Sequence, residues 1–167
     1  MKKAFTLIIA VTFISVLICS CGSKNAYRND VACSDIIAVL EEQIATEGGY
    51  AHYESDELKL VFGDDISLAT DCALSYSLLS QNIDEFGIFK ADSEKNAYEI
   101  AEECIDYIEE KYEDENAFIA SYAPEELPKL RDGEVKVFGN YVAFAILDQN
   151  SRAALFEKVE KMLIAEG

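Results

Sequence analysis

The 167-residue sequence has no tryptophan, two prolines and a single histidine. That scarcity leaves His52 as the only imidazole, so any Ser/His/Asp or Cys/His nucleophile site would depend on it. His52 lies in the polar stretch AHYESDE, the ordinary setting of an exposed histidine. With one histidine and no CxxC, a zinc site lacks ligands. GxSxG, SxxK, P-loop, HExxH, GxGxxG and EF-hand patterns are all missing. The sequence therefore offers no catalytic residue, no metal ligand set and no cofactor motif. Cations are few as well: 14 Lys and Arg face 32 Asp and Glu, for a formal charge of −18. So acidic a surface repels phosphate backbones and anionic headgroups, which argues against nucleic acid as a partner. With so many acids, close carboxylate pairs arise by chance, so a pair of the kind that attacks wall sugars is no signal in itself.

Long apolar runs are absent except at the start. Lys2 and Lys3 precede Ala4 to Ile18, AFTLIIAVTFISVLI, fifteen residues without a charge. A positive start, an apolar core of this length and a small-residue exit predict a secretory signal peptide over 1–20. A retained transmembrane helix is the rival reading. It needs about 20 apolar residues, a length reached here only by counting the cysteines and a serine. The exit, Ile18-Cys19-Ser20-Cys21, resembles the lipobox of bacterial lipoproteins. That resemblance implies cleavage after Ser20 and a diacylglyceryl thioether on Cys21, with Cys19 leaving in the signal. Two acyl chains of the palmitate class hold a protein stably on a membrane where one does not. Residues 21–29 then read as a tether. Loss of Lys2 and Lys3 takes the formal charge from −18 to −20, so lipid and not a basic patch must provide the anchor. The implied location is the extracytoplasmic face of the cell membrane.

Three further cysteines remain. Cys33 is in line with Ile37, Leu40 and Ile44 at helical spacing, and Cys104 with Ala97, Ile100, Ala101 and Ile108. Cys72 alternates with Leu74, Tyr76 and Leu78. On such faces a free thiol behaves as a small hydrophobe. An exported chain could also pair two of the three and leave one over.

Apolar spacing predicts a helix over 30–46, stopped by Gly48-Gly49, and a short helix from Ser55 to Gly63. Strands follow over 71–79 and 84–91. Ser93 is set to cap a long helix reaching about Tyr112, with the acidic run EEKYEDEN (109–116) as its solvated end. Gly139-Asn140 between alternating runs predicts a hairpin over 134–147, and Ser151 then caps a last helix. The order β-β-α occurs twice after a helical lead-in. It predicts a single α+β domain over 30–167: a four-stranded antiparallel sheet with both long helices on one face.

YAPEELPKL, KVFGNYVAFAILD and IDEFGIFKADS together resemble a family of short lipoproteins from Gram-positive anaerobes that carry a domain of unknown function, family 4358. The resemblance covers roughly 64–165, and its best-matched positions are Phe89, Lys90, Tyr122, Pro124, Gly139, Asn140 and Tyr141. It implies an α+β domain on a lipoprotein and supplies no catalytic residue. The expected function is a non-catalytic binding or interaction module, with an envelope protein or a small ligand as partner. The alternatives are an assembly subunit of an envelope complex and a carboxylate-based wall hydrolase. Tyr122, Pro124, Asn140 and Tyr141, two aromatics and two turn residues near element borders, form the candidate binding patch. Each also has a structural reading, as helix exit, turn or cover for a sheet edge.

Overall fold

The computed structural model describes residues 26–53, 55–63 and 65–164. The predicted signal peptide and Cys21 lie outside them. Among the described residues no helix is long and apolar enough to cross a membrane.

In chain order the elements are α1 (Cys33–Gln43), β1 (Tyr50–His52), α2 (Ser55–Phe62), a 3-10 turn (Asp65–Leu68), β2 (Ala69–Ser77) and β3 (Glu85–Ala91). They continue with α3 (Glu94–Tyr122), α4 (Leu127–Arg131), β4 (Glu134–Phe138), β5 (Tyr141–Ile146) and α5 (Gln149–Leu163). The strands form one antiparallel sheet in the order β1-β2-β3-β5-β4. The predicted hairpin is present as β4–β5, the two earlier predicted strands pair as β2–β3, and the pairs join through their second strands, with Phe89 opposite Val142.

The central strands β3 and β5 are buried on both sides. One face carries Phe86, Ile88, Tyr141, Ala143 and Ala145, and packs against Ile36 and Leu40 of α1 and Leu155, Phe156 and Val159 of α5. The other carries Leu74, Phe89, Val142, Phe144 and Ile146, and packs against α2 and the Ala97, Ile100, Cys104 and Ile108 stripe of α3. The fold is thus a mixed α+β sheet covered on both faces. This corrects the expected four strands with both long helices on one side: the described residues form five strands, and α3 and α5 lie on opposite faces.

The reason is visible in YVAFAI. Val142, Phe144 and Ile146 alternate with Ala143 and Ala145, which resembles one buried face and one open one. In the structure the alternation is large against small. The alanines face a second helical layer, and their size lets α1 and α5 approach closely. β1 escaped prediction because three residues carry no readable period; Tyr50, Ala51 and His52 pair with Ser77, Tyr76 and Ser75 of β2. Close approach also explains Gly87. A Cβ there would meet Phe144 Cε1 at 2.5 Å and Leu74 Cγ at 2.6 Å, so the Phe144 ring occupies the space that any side chain would need.

Helix ends differ from expectation in two places. Ser93 caps α3 as predicted, accepting from the Asn96 N–H, but the helix runs on to Tyr122 and not to about Tyr112. Glu and Lys are good helix formers, so the acidic run sustains the helix, and Ile119 beyond it returns to the core. For α5 the cap is Asp148 and not Ser151. Its carboxylate accepts from Asn150 N at 2.9 Å and Ser151 N at 3.2 Å, and the hydrogen bond from Ser151 leads the effects that hold its pKa below the usual value.

The length of α3 shapes the molecule. Its 29 residues span about 43 Å at ~1.5 Å each, whereas the seven residues of β3 cover about 23 Å. The helix starts beside the end of β3 at Ala91 and draws level with its beginning at Lys111, whose ammonium reaches Glu85. The rest of α3 overhangs the sheet at this far end. The described chain begins at the opposite, near end. There Tyr27 bridges Ile164, the Arg28 N–H donates to Leu163 O, and Val31 meets Tyr141. The expected tether is therefore pinned to the domain from Tyr27 onward.

Candidate functional site

The structure does not bring the expected patch together. Asn140 and Tyr141 lie at the near end, where Asn140 O accepts from Ala91 N at 2.8 Å. Tyr122 and Pro124 lie beyond the far end, on and just after the overhang. Tyr141 is corrected from surface to core. It is 0% exposed, and its hydroxyl donates to Val31 O at 2.7 Å while accepting from Val31 N at 3.0 Å. Gly139, with φ of 60°, and half-buried Asn140 form the turn. Tyr122 and Pro124 are exposed.

The three described cysteines are free. Cys33 belongs to the core beneath α1, and Cys72 packs on the α2–α3 side with Cys104. The sheet thus separates Cys33 from the other two. Burial, as the largest effect, pushes all three thiols above their ordinary pKa.

His52, Glu41 and Ser75 meet, but not as a catalytic triad. Glu41 Oε1 accepts from Ser75 Oγ at 2.6 Å and sits 2.8 Å from His52 Nε2. The carboxylate thus stands between serine and histidine, whereas a nucleophile needs the histidine in the middle. Ser75 is also fully buried.

A better site lies at the far end. A cleft of about 230 Å³ opens there between the β2–β3 turn and α3, with Tyr53, Tyr76, Ile83, Glu85, Lys111 and Glu115 in its lining. Glu85, the first residue of β3, forms its floor and is 2% exposed. Glu85 Oε1 accepts from Tyr107 at 2.7 Å and Tyr53 at 3.3 Å, and Oε2 accepts from Lys111 Nζ at 2.6 Å. Lys111 Nζ also donates to the Tyr107 hydroxyl at 2.9 Å. Tyr107 and Lys111 sit one helical turn apart, which brings both to the same carboxylate. A buried charge is tolerated when paired and hydrogen-bonded in this way. Burial first, and the Glu85 charge second, push the pKa of Tyr107 and of Tyr53 upward. Both phenols are proton donors here and are held from acting as bases.

A second group extends the cleft wall. Lys129 Nζ donates to Asp84 Oδ1 and Glu126 Oε2, both at 2.8 Å, and Glu126 Oε2 also accepts from Ile83 N at 3.0 Å. Burial opposes the charge on Lys129, but the hydrogen bonds to Asp84 and Glu126 outweigh it and raise its pKa. Among the described residues, no group of three or more His, Cys, Asp or Glu is placed to hold a metal ion. The sequence sign of this site was a charged residue, Glu85, immediately before the apolar run Phe86-Gly87-Ile88-Phe89.

The fold and cleft define a small α+β domain whose polar site is built from one sheet end and an overhanging helix. Residues 42–147 match the family Domain of unknown function (DUF4358), and the chain belongs to that family. The match begins earlier than the expected 64 and stops before α5, and it contains every residue named in the cleft. No curated protein and no solved structure matches the chain.

Proposed function

We propose that this protein is a lipid-anchored extracytoplasmic module of the cell membrane, held through Cys21, that binds an envelope protein or a small ligand in the far-end cleft without transforming it. The observation that supports this most is the position of the cleft relative to the anchor. The described chain starts at residue 26 and is pinned at the near end by Tyr27 and Arg28. Cys21 is five residues upstream, a reach of at most about 18 Å. The cleft lies at the other end of the strands. A domain anchored at Cys21 turns its cleft away from the bilayer, toward whatever lies outside.

The chemistry of the floor supports binding over turnover. Glu85 is engaged by three donors, and Asp84 and Glu126 by Lys129. These carboxylates are committed to internal partners, so among the described residues of the lining only Glu115 is an acid without one, whereas a carboxylate-based wall hydrolase needs a working pair. The assembly-subunit alternative draws on a separate observation, the stacked and exposed Phe118 and Tyr122 on the overhang.

Fatty-acid labelling and a wall-fragment assay test this together. Label enters the wild type and Cys19→Ser but not Cys21→Ser, and the released domain leaves peptidoglycan fragments intact. Label retained in Cys21→Ser, or turnover that one carboxylate substitution abolishes, contradicts the proposal.

A further inference from the structure

Tyr107, Lys111, Glu115, Phe118 and Tyr122 follow one another along α3 at spacings of four, four, three and four residues. At 3.6 residues per turn they share an arc of about 80°, continuous with the core stripe of Ala97, Ile100 and Cys104. The sheet covers this face up to Lys111. Beyond it Phe118 and Tyr122 are 67% and 61% exposed, their rings stacked at 5.6 Å and 10°. A stripe that is core at its start is thus open at its end. Between the two parts stands Glu115, which lines the cleft and has no hydrogen-bond or ion-pair partner among the described residues.

We propose that this stripe docks a basic segment of a partner polypeptide. One lysine or arginine enters the cleft beside Glu115, and the neighbouring residues lie across Phe118 and Tyr122. The inference rests on the reading of the cleft as the binding site. Charge selects the occupant. Among the described residues Asp84, Glu85 and Glu126 are balanced by Lys111 and Lys129 alone, and Glu115 adds a further uncompensated acid. Glu113, Asp114 and Glu125 stand exposed around the overhang. The rings of Tyr53 and Tyr76 line the cleft, and aromatic faces attract desolvated ammonium and guanidinium groups. Size agrees. About 230 Å³ falls short of the ~300–1,000 Å³ of sites for drug-sized molecules, but suits a single side chain. A free amine seated in the cleft leaves the aromatic pair uncovered. Glu115 and Tyr122 are about 10 Å apart along the helix axis, which an extended peptide of roughly three residues spans.

The test uses the full chain in detergent micelles and a fluorescent peptide of alternating lysine and glycine. Glu115→Gln should weaken binding about tenfold, as should Phe118→Ala combined with Tyr122→Ala. Glu102→Gln, which removes one charge from an exposed position of α3 beside the sheet, should leave binding close to wild type. Equal losses for Glu102→Gln and Glu115→Gln would reduce the effect to general acidity and overturn the proposal. So would equal binding of a glutamate–glycine peptide, or complete displacement by spermidine at matched charge, which would make a free polyamine the ligand. A partner captured through the cleft that binds without any basic segment overturns this inference and leaves the cleft reading intact. Absence of any partner at the cleft overturns both.

Discussion

Lys111 and Glu85 form a 2.6 Å ion pair where α3 passes the start of β3, with side chains only 18% and 2% exposed. Removing one member of such a buried pair leaves the other charge uncompensated, at a cost of about 3–5 kcal/mol. Lys111→Met should therefore lower the urea midpoint strongly. Glu85→Gln combined with Lys111→Met should recover part of the loss, because no charge is then left buried. A cost under about 1 kcal/mol for Lys111→Met is the value of an exposed pair and would show that water reaches the cleft floor.

The same network sets an alkaline limit. The pKa of Tyr107 is raised above the ordinary tyrosine value of 10.0, by burial first and by Glu85 next. Above pH 10 the unfolded chain gives up this proton and the folded chain keeps it, so the folded state binds more protons and stability falls as pH rises. The contribution is complete below pH 10. Tyr107→Phe should be less stable at neutral pH, through the lost hydrogen bond to Glu85, yet show a shallower decline above pH 10. Urea titrations at several pH values read the slope, and an unchanged slope contradicts the assignment.

Tyr141 and Tyr122 should part company. Tyr141→Phe deletes both hydrogen bonds to Val31 and should cost about 1–3 kcal/mol. Tyr141→Ala, which empties a core position, should cost about 3–5 kcal/mol. Tyr122→Ala, on the exposed overhang, should stay within about 0.5 kcal/mol. Thermal denaturation separates the three. Early melting of Tyr122→Ala would place that ring in the core.

What the sequence revealed and concealed follows from this packing. The Gly139-Asn140 hairpin, the Ser93 cap and the apolar stripes around Cys33 and Cys104 were legible because local geometry decides them. The second helical layer was not, because Ala143 and Ala145 look the same whether they face water or a helix. The α3 overhang was hidden by EEKYEDEN, whose charge suggests an end while its helix propensity continues the element. The cleft was illegible for a different reason. Tyr53 follows β1, Glu85 opens β3 and Lys111 lies on α3, so the three share no spacing along the chain. Tyr141 was misplaced because its position at a turn suggested exposure, whereas its partner, Val31, is 110 residues away.

The thiols give a further check on the layers. Cys33 and Cys104 are fully buried, while Cys72 is half-buried. A thiol reagent should modify Cys72 first in the native protein, and Cys33 and Cys104 only as it unfolds, since burial both hides the sulfur and disfavours the reactive thiolate. Rapid native labelling of Cys33 would mean that α1 does not stay seated on the sheet.

The most direct measurement is photocrosslinking on intact cells. A photoreactive residue replaces Leu79, on the rim of the far-end cleft, in one variant and Ala153, exposed on α5, in another. A binding module that engages its partner through the cleft predicts a discrete crosslinked species from position 79 and none from position 153, and loss of the former in Glu115→Gln. Crosslinking from position 153 alone, or none from position 79, would contradict it.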